Sequence, residues 1–586
     1  MKRLPAWLPS IAALCTALYC AAATVTVDEG TRHQPIVGWG TCLYGSGLAN
    51  LPYNDPQWRA DYRDLGCNII RLAMENDALV DASGNHNVPV VLGTNLQQNI
   101  AKFNFARPDL AMHGSMIQWL AANALEPERM LLVGSLWTPP HWMKGPTGNK
   151  TYYTGQPSVG EYFTPWMSGD HSYGSPGTGS SIGGRLKQDS TNLVQFGRYI
   201  AAWVKGYEQA YGVPFYAISL QNENTFENPF DSCTYRFGEG DTNGAGTMGP
   251  DGQWWQYANA LKAVKDEFEL QGITSCKIKG PHTARIGDTP ASPFMLNQNM
   301  KFIQAVKNHS DSQLIDFLSI YNCNGYLGSS EENVKTWAGW WKGKAAVPGS
   351  WASWCYAPGV QNDGKLTWAS EIGGEQGAWL NGGGGTPGSG AIVLAQKMHN
   401  GLVHGHLSAI EHWQMSDASS SETEHILLGK SHISDPLQSK KYCAFKHFAR
   451  YVRPGATRIE ATFENGQTSI GGASEYDTYN SLNVSAYIHT QDLTYTFVLI
   501  NMKSGAQSVT INAPTGMPIN SYRVFRTSSS DSFAEQPVLN VTAGTMALSV
   551  PGYSVVTLFG QVPEPVGGVA AVCALLWAAR ATKLRG

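Results

Sequence analysis

Ile218-Ser219-Leu220-Gln221-Asn222-Glu223-Asn224 and Leu366-Thr367-Trp368-Ala369-Ser370-Glu371 share one plan: an apolar run that closes on a carboxylate, followed by a polar or glycine-rich stretch. A charge at the end of a buried run is costly unless it has a partner or a task. The same apolar texture recurs around these two segments, at 35–40, 67–73, 129–136, 214–221, 276–280, 315–321, 366–371 and 407–414. Between the runs the period changes. Phe196, Ile200, Trp203 and Tyr207 share one helical face, and Tyr257, Leu261, Val264 and Phe268 repeat the pattern. Near-continuous apolar strands alternating with helices predict an α/β fold with a parallel sheet covered on both faces. Eight such units favour a closed (β/α)8 barrel, the TIM barrel. In that count Glu223 ends the fourth strand and Glu371 the seventh, so both would stand over the same face. The last helix is expected at 448–452.

After Pro454 short alternating or β-branched runs appear at 456–463, 482–489, 495–500, 508–511, 522–526 and 554–559, separated by turn residues. They predict a smaller all-β side module, a β-sandwich, over 454–560. Residues 24–34 are expected to join it, which leaves 35–453 for the barrel. Both chain ends look like targeting signals. Lys2 and Arg3, an apolar run over 7–19 and Ala21-Ala22-Ala23 follow the order of a secretory signal peptide, expected over 1–23. At the other end Val562-Pro563-Glu564-Pro565 precedes an uncharged stretch over 566–579, and Arg580, Lys583 and Arg585 close the chain. That stretch is shorter than the roughly 20 residues a helix needs to span a bilayer. Its order resembles the PEP-CTERM sorting tail of certain bacteria, here 561–586. The resemblance implies export, contact with the export and sorting machinery, and a place outside the cell or on its surface.

Composition narrows the partners. Charged residues make up 15% of the 586 residues, below the roughly 25% of ordinary soluble domains. With a net charge of −4 and no basic stripe, a nucleic-acid binder is excluded. A hydrophobic content of 42% excludes disorder. Few charges beside 19 Trp suit a secreted protein that meets a polar, uncharged partner such as a glycan. Seven cysteines lie between the two signals: Cys42, Cys67, Cys233, Cys276, Cys323, Cys355 and Cys443. An odd number leaves at least one unpaired, and sequence gives no pairing. The insertions at 145–184, 226–252 and 381–390 follow candidate strands and read either as flexible surface loops or as walls of a cleft.

Several motif matches fail on context. Gly179-Ser180-Ser181-Ile182-Gly183 lacks the preceding apolar strand of a nucleophile elbow. The glycines at 382–385 lack a following Gly-Lys-Ser, and Gly429-Lys430-Ser431 has Glu424 where a phosphate loop needs glycine. His404, His406 and His412 read as structural histidines rather than a metal set. No metal and no organic cofactor is expected. The carboxylate pair remains.

With those residues in view the chain resembles the retaining (β/α)8 glycosidases, and more narrowly glycoside hydrolase family 30. The segments that carry the likeness are Ile36-Val37-Gly38-Trp39-Gly40, Arg71, and Ser135-Leu136-Trp137-Thr138-Pro139-Pro140-His141-Trp142-Met143-Lys144. Asn222-Glu223 and Phe448-Ala449-Arg450-Tyr451-Val452-Arg453-Pro454-Gly455-Ala456 add to them. Many members have proline after the first glutamate, where this chain has Asn224. The resemblance implies Glu223 as acid/base and Glu371 as nucleophile, held about 5–5.5 Å apart as in retaining enzymes. It implies Asn222 on the sugar 2-hydroxyl, Arg71 beneath Glu371 holding it ionised, and Tyr321 donating to Glu371. Trp39, Trp137 and Trp413 would form a sugar platform, although core packing is an equal reading for each. The expected activity is cleavage of a polysaccharide of the xylan or glucuronoxylan, β-1,6-galactan or β-1,6-glucan class by double displacement. The alternatives are another retaining family on the same barrel and a non-catalytic surface glycan-binding protein. Glu227 and Glu375 are the rival carboxylates.

Overall fold

The computed structural model describes residues 22–44, 51–74, 76–85, 89–145, 185–224, 232–233, 235, 254–284, 298–343, 346–347 and 358–563. The two terminal signals, the insertions at 145–184 and 226–252 and the 179–183 motif fall almost wholly outside them.

Eight parallel strands close into a barrel: Gly38–Leu43, Ile69–Met74, Leu131–Leu136, Phe215–Ser219, Lys277–Thr283, Leu318–Asn324, Leu366–Ile372 and Ala409–Gln414. They are numbered here from one to eight in chain order. Closure runs through the eighth and first strands, where Ala409 pairs with Gly38 and Ile410 with Trp39. Every expected strand is present. The fifth and sixth each run three residues further than their apolar texture suggested, to Thr283 and Asn324.

The helix Ser190–Tyr211 shows why the intervening segments coil. The Asp189 carboxylate accepts from the Asn192 amide at 2.9 Å and caps its start, and Gly212 ends it at φ +72°. Phe196, Ile200, Trp203 and Tyr207 are fully buried on its inner face. The helix Trp255–Leu270 does the same with Tyr257, Leu261, Val264 and Phe268. The last helix is Lys440–Ala449, not 448–452. The aromatic segment that suggested it forms the end of that helix and the turn after it, because Pro454 cannot continue a helix.

Residues beyond 456, joined by one strand from before the barrel, build the side β module as one continuous, mostly antiparallel ten-stranded sheet. Ala534–Asn540 and Thr545–Val550 lie at opposite ends of its strand order yet come back into contact, so the sheet folds over its own core of Val484, Phe497, Leu499, Val509, Ile511 and Leu558. Neither strand was expected from sequence: Ala534–Asn540 buries no side chain fully, whereas Thr545–Val550 does alternate, with Met546 and Val550 buried and Ala547 and Ser549 exposed, but is short. The first strand of the chain, Ala23–Pro35, lies inside this sheet. It pairs antiparallel with Thr457–Phe463 and parallel with Gln507–Asn512.

The sheet is locked to the barrel helices. The His447 ring bonds Thr527 Oγ1 and Thr557 Oγ1, both at 2.8 Å, and Trp379 Nε1 donates to the Tyr553 carbonyl at 2.7 Å. Trp379 directly precedes the 381–390 loop, so this insertion lies next to the side sheet. It is a tight turn, closed by Asn381 N–H to Pro387 O (3.0 Å) and Gly382 N–H to Thr386 O (2.9 Å). The six described cysteines are all buried, and Cys42, Cys67, Cys276, Cys323 and Cys443 form no disulfide.

Candidate active site

The upper barrel interior is built around Arg71. This fully buried guanidinium comes from the second strand. Its Nε donates to Ser135 Oγ (3.0 Å) on the third strand, and Nη2 donates to Asn222 Oδ1 (2.6 Å) beyond the fourth. Nη1 donates to the Ser370 carbonyl (3.1 Å) and to Glu371 Oε2 (2.5 Å) on the seventh. Burial alone would depress this guanidinium, but Cys42, Glu371 and Glu411 around it more than offset that and raise it, so it stays charged. Trp137 and Trp413 cover it, with Arg71 Cζ 4.7 Å and 5.9 Å from their ring centres. Tyr44 completes an aromatic group, 5.2 Å from Trp137 and 5.4 Å from Trp413 between centroids.

Glu371 is nearly buried, and its other oxygen, Oε1, accepts from the Tyr326 hydroxyl at 2.8 Å. Burial, with the Glu371 and Glu223 carboxylates beside it, pushes the Tyr326 phenol well above its ordinary range. It is therefore a neutral donor to Glu371, with the Glu223 carboxylate in its surroundings. Glu223 is half-buried, and its backbone stands at φ +48°. A side chain in that left-handed region costs of order 1–3 kcal/mol, and such residues concentrate at functional sites. Asn324 Nδ2 donates to Glu223 Oε1 at 3.1 Å, and Asn324 Oδ1 lies 2.9 Å from His282 Nε2. The backbone before Glu223 is pinned, since Asn222 N–H donates to the Leu136 carbonyl at 2.6 Å.

Below this network lies a second charged group. Lys279 Nζ donates to Ser370 Oγ (2.8 Å) and to Glu411 Oε1 (3.1 Å), with both partners fully buried. Burial pulls the Lys279 ammonium down to about 8 and raises Glu411, while each charge opposes the other's shift.

The structure thus gathers Glu223, Glu371, Asn222, Arg71, Trp137 and Trp413 at one mouth. Two expected residues lie elsewhere. Trp39 faces outward, away from this mouth: its indole N–H donates to the Val452 carbonyl at 2.6 Å and its ring packs on Phe445 and Phe448. Strand alternation is the cause, because Cys42, three residues on along the first strand and so on the opposite face, is the residue that joins the aromatic group inside. Gly38 sets this start: a Cβ there would sit 1.8 Å from Asn68 Oδ1, which accepts the Trp39 amide.

Tyr321 is displaced for the same reason. Its hydroxyl donates to Asp363 (2.9 Å) outside the barrel, while Asn322 and Asn324 point in, and Tyr326 takes the place expected for it. Glu375 is buried in an ion pair with Lys397, off the mouth, and Glu227 lies outside the described residues. His404 and His406 lie between barrel and side sheet, and His412 packs edge-on against Phe445. Among the described residues no three His, Cys, Asp or Glu side chains gather as metal ligands would. Tyr326, His282, Asn324 and Ser135 were not singled out from sequence. Three of them stand at or beyond strand ends that the apolar texture placed too early.

No protein-family model matches the chain, and no curated protein is similar to it in sequence. Solved structures do match. A family 30 endoxylanase from Clostridium papyrosolvens C71 aligns at 20% identity over 92% of this chain and 100% of its own, with a TM-score of 0.57. A conserved exported protein from Bacteroides fragilis aligns at 14% identity over 92% and 100%, with a TM-score of 0.60. An endo-β-1,6-glucanase aligns at 17% identity over 93% and 94%, with a TM-score of 0.56. At these identities the likeness shows a shared fold: a (β/α)8 barrel with a β module beside it.

Proposed function

We propose that this protein is a glycoside hydrolase that cleaves a polysaccharide with retention of anomeric configuration, Glu371 acting as nucleophile and Glu223 as acid/base. The observation that carries this reading is the pair itself. Both carboxylates stand at one barrel mouth, each held by its own amide or guanidinium donor, and Glu371 also accepts from the neutral phenol of Tyr326. Glycosidic cleavage builds positive charge on the sugar ring and negative charge on the leaving oxygen, so it needs a carboxylate on one side and a proton donor on the other. Glu371, with Arg71 and Tyr326 on its two oxygens, is oriented to attack the anomeric carbon. Glu223, less buried, would protonate the departing oxygen. Once the glycosyl ester has consumed the charge on Glu371, Glu223 would take a proton from the incoming water. Asn222, fixed by Arg71, would reach the 2-hydroxyl, and Trp137 and Trp413 would offer ring faces to the sugar.

Two of the structural neighbours, an endoxylanase and an endo-β-1,6-glucanase, support the polymer class. The ends of the sequence support export and a cell-surface or extracellular place. The test is a panel of plant and algal polysaccharides, with product sizing and NMR of the first anomer released. Hydrolysis with retention is expected. Inversion, or no hydrolysis of any glycoside, overturns the reading.

A further inference from the structure

We propose that His282 is a positioning residue for Glu223, acting through Asn324 as a directional relay; the proposal rests on the reading of Glu223 as the acid/base. His282 stands near the end of the fifth strand and Asn324 closes the sixth, and both are fully buried. The chain of contacts is His282 Nε2 to Asn324 Oδ1 at 2.9 Å and Asn324 Nδ2 to Glu223 Oε1 at 3.1 Å.

The direction follows from donor and acceptor chemistry. Glu223 Oε1 accepts when the carboxylate is ionised, and equally in the acid form with the proton on Oε2, so Asn324 turns its NH2 toward it. Its carbonyl oxygen then faces His282, and Nε2 must carry the hydrogen. Arg71 Nη2 lies 3.4 Å from the same nitrogen; one of its two hydrogens serves Asn222 Oδ1 at 2.6 Å, and the contact to His282 is the longer of the pair, against 2.9 Å from Nε2 to Asn324 Oδ1. A His282 protonated only on Nδ1 would accept from both neighbours and reverse the Asn324 amide, setting oxygen against oxygen at Glu223. Nδ1 is buried without a hydrogen-bond partner, so a proton placed there would be a buried donor with no acceptor, which favours the neutral Nε2–H form. Burial, then the Arg71 and Lys279 cations, holds the imidazole well below its ordinary range and so in that form.

Both ends of the relay are conformationally unusual. His282 stands at φ +64° and Glu223 at φ +48°. Neither is glycine, and each such backbone costs of order 1–3 kcal/mol. A histidine needed only to fill the barrel interior would not require either conformation.

The relay makes a specific statement about the acid. A donor on Glu223 Oε1 favours its charged form, so losing the donor makes Glu223 a weaker acid. The other charged or titratable groups facing this region are Arg71 from the second strand, Lys279 from the fifth, Tyr326 after the sixth, Glu371 from the seventh, Glu411 from the eighth and Cys42 from the first. None of them changes in the variants proposed.

The experiment uses the full chain on the polysaccharide it cleaves, and on aryl β-glycosides of the same sugar with good and poor leaving groups. In His282→Leu and Asn324→Asp the alkaline limb of kcat/KM should move up by about one pH unit. Turnover of poor leaving groups should fall about tenfold to a hundredfold, while the best leaving group is nearly unaffected. His282→Gln, which returns an N–H to the same side of Asn324, should restore most of both. A parallel loss on all leaving groups with an unmoved limb, or no change at all, overturns the relay. Activity that survives in Glu223→Ala without azide rescue overturns the acid/base reading instead, and the relay with it.

Discussion

In the lower half of the barrel interior, Ile69, Val133, Ala217, Ile320, Trp368 and Ala409 pack as a dry apolar cluster, with Tyr216 stacked on Trp368 at 6.1 Å. Two residues further along the same six strands stand Arg71, Ser135, Ser219, Asn322, Ser370 and Glu411, all fully buried. The strands supply the same geometry to both layers, and only the side chains differ. Burying the lower layer contributes about 1.5–3 kcal/mol for each large apolar residue. Burying ions in the upper layer costs several kcal/mol each, which their attraction repays only with good geometry. The lower layer therefore holds the barrel closed. The upper layer is tolerated because it places Glu371 and orients Asn222.

The sharpest way to break this comparison is to remove Glu371. Glu371→Ala should reduce turnover about 10⁴-fold or more on every glycoside, because no other group can form the ester. The melting temperature should fall as well, because Arg71 loses a buried partner, and added azide should return an inverted glycosyl azide. A variant near full activity would end the division of labour. Glu223→Ala comes next. It should lose about 10²–10⁴-fold on natural glycosides and spare aryl glycosides in their first step. Azide should then give the retained product, read by NMR.

The lower layer should behave in the opposite way. Trp368→Ala should cost about 3–5 kcal/mol of stability by chemical denaturation. What remains folded should keep a kcat near wild type. A collapse of kcat in folded protein would mean that the two layers are not separable. Tyr326→Phe tests a single bond of the upper layer. A hydrogen bond to a charged group contributes about 1.5–3 kcal/mol, so kcat should fall by roughly ten- to a hundredfold with little change in melting temperature.

The smallest effect lies outside both layers, at His447 between the last helix and the side sheet. Burial lowers this histidine to about 3. Its folded value lies below its unfolded value of about 6.5, so its contribution is full above pH 6.5 and is lost as pH falls toward 3. His447→Gln should make the slope of stability against pH between 5 and 6 shallower by about 1.4 kcal/mol per pH unit, read from urea melts.

The sequence was legible where burial is two-sided. Eight apolar runs announce eight strands because both faces of a parallel sheet are dry, and two carboxylates at the ends of such runs stand out by their cost. Legibility fell where the chemistry begins. Past Gly280 and Tyr321 the strands continue as Pro281-His282-Thr283 and Asn322-Cys323-Asn324, whose polar side chains serve the site and so mimic a loop. That early end hid His282, Asn324 and Tyr326. Trp39 and Tyr321 were misplaced by parity: a strand known to within one residue leaves the direction of each side chain undetermined. Ser135 was quoted within the third-strand segment but given no role, since a serine inside an apolar run reads as a small core residue until Arg71 is seen beside it.

The strand Ala23–Pro35 has a consequence for the order of assembly. Chains are made and released from the amino end, and Val25 finds its partners only at Phe463 and Ile511. Throughout synthesis of the barrel this strand carries two unsatisfied edges, and unpaired edges recruit other chains. The side sheet therefore behaves as a late clasp: it fastens the first strand of the protein to some of the last, so that its closure reports that the whole barrel between them has been completed.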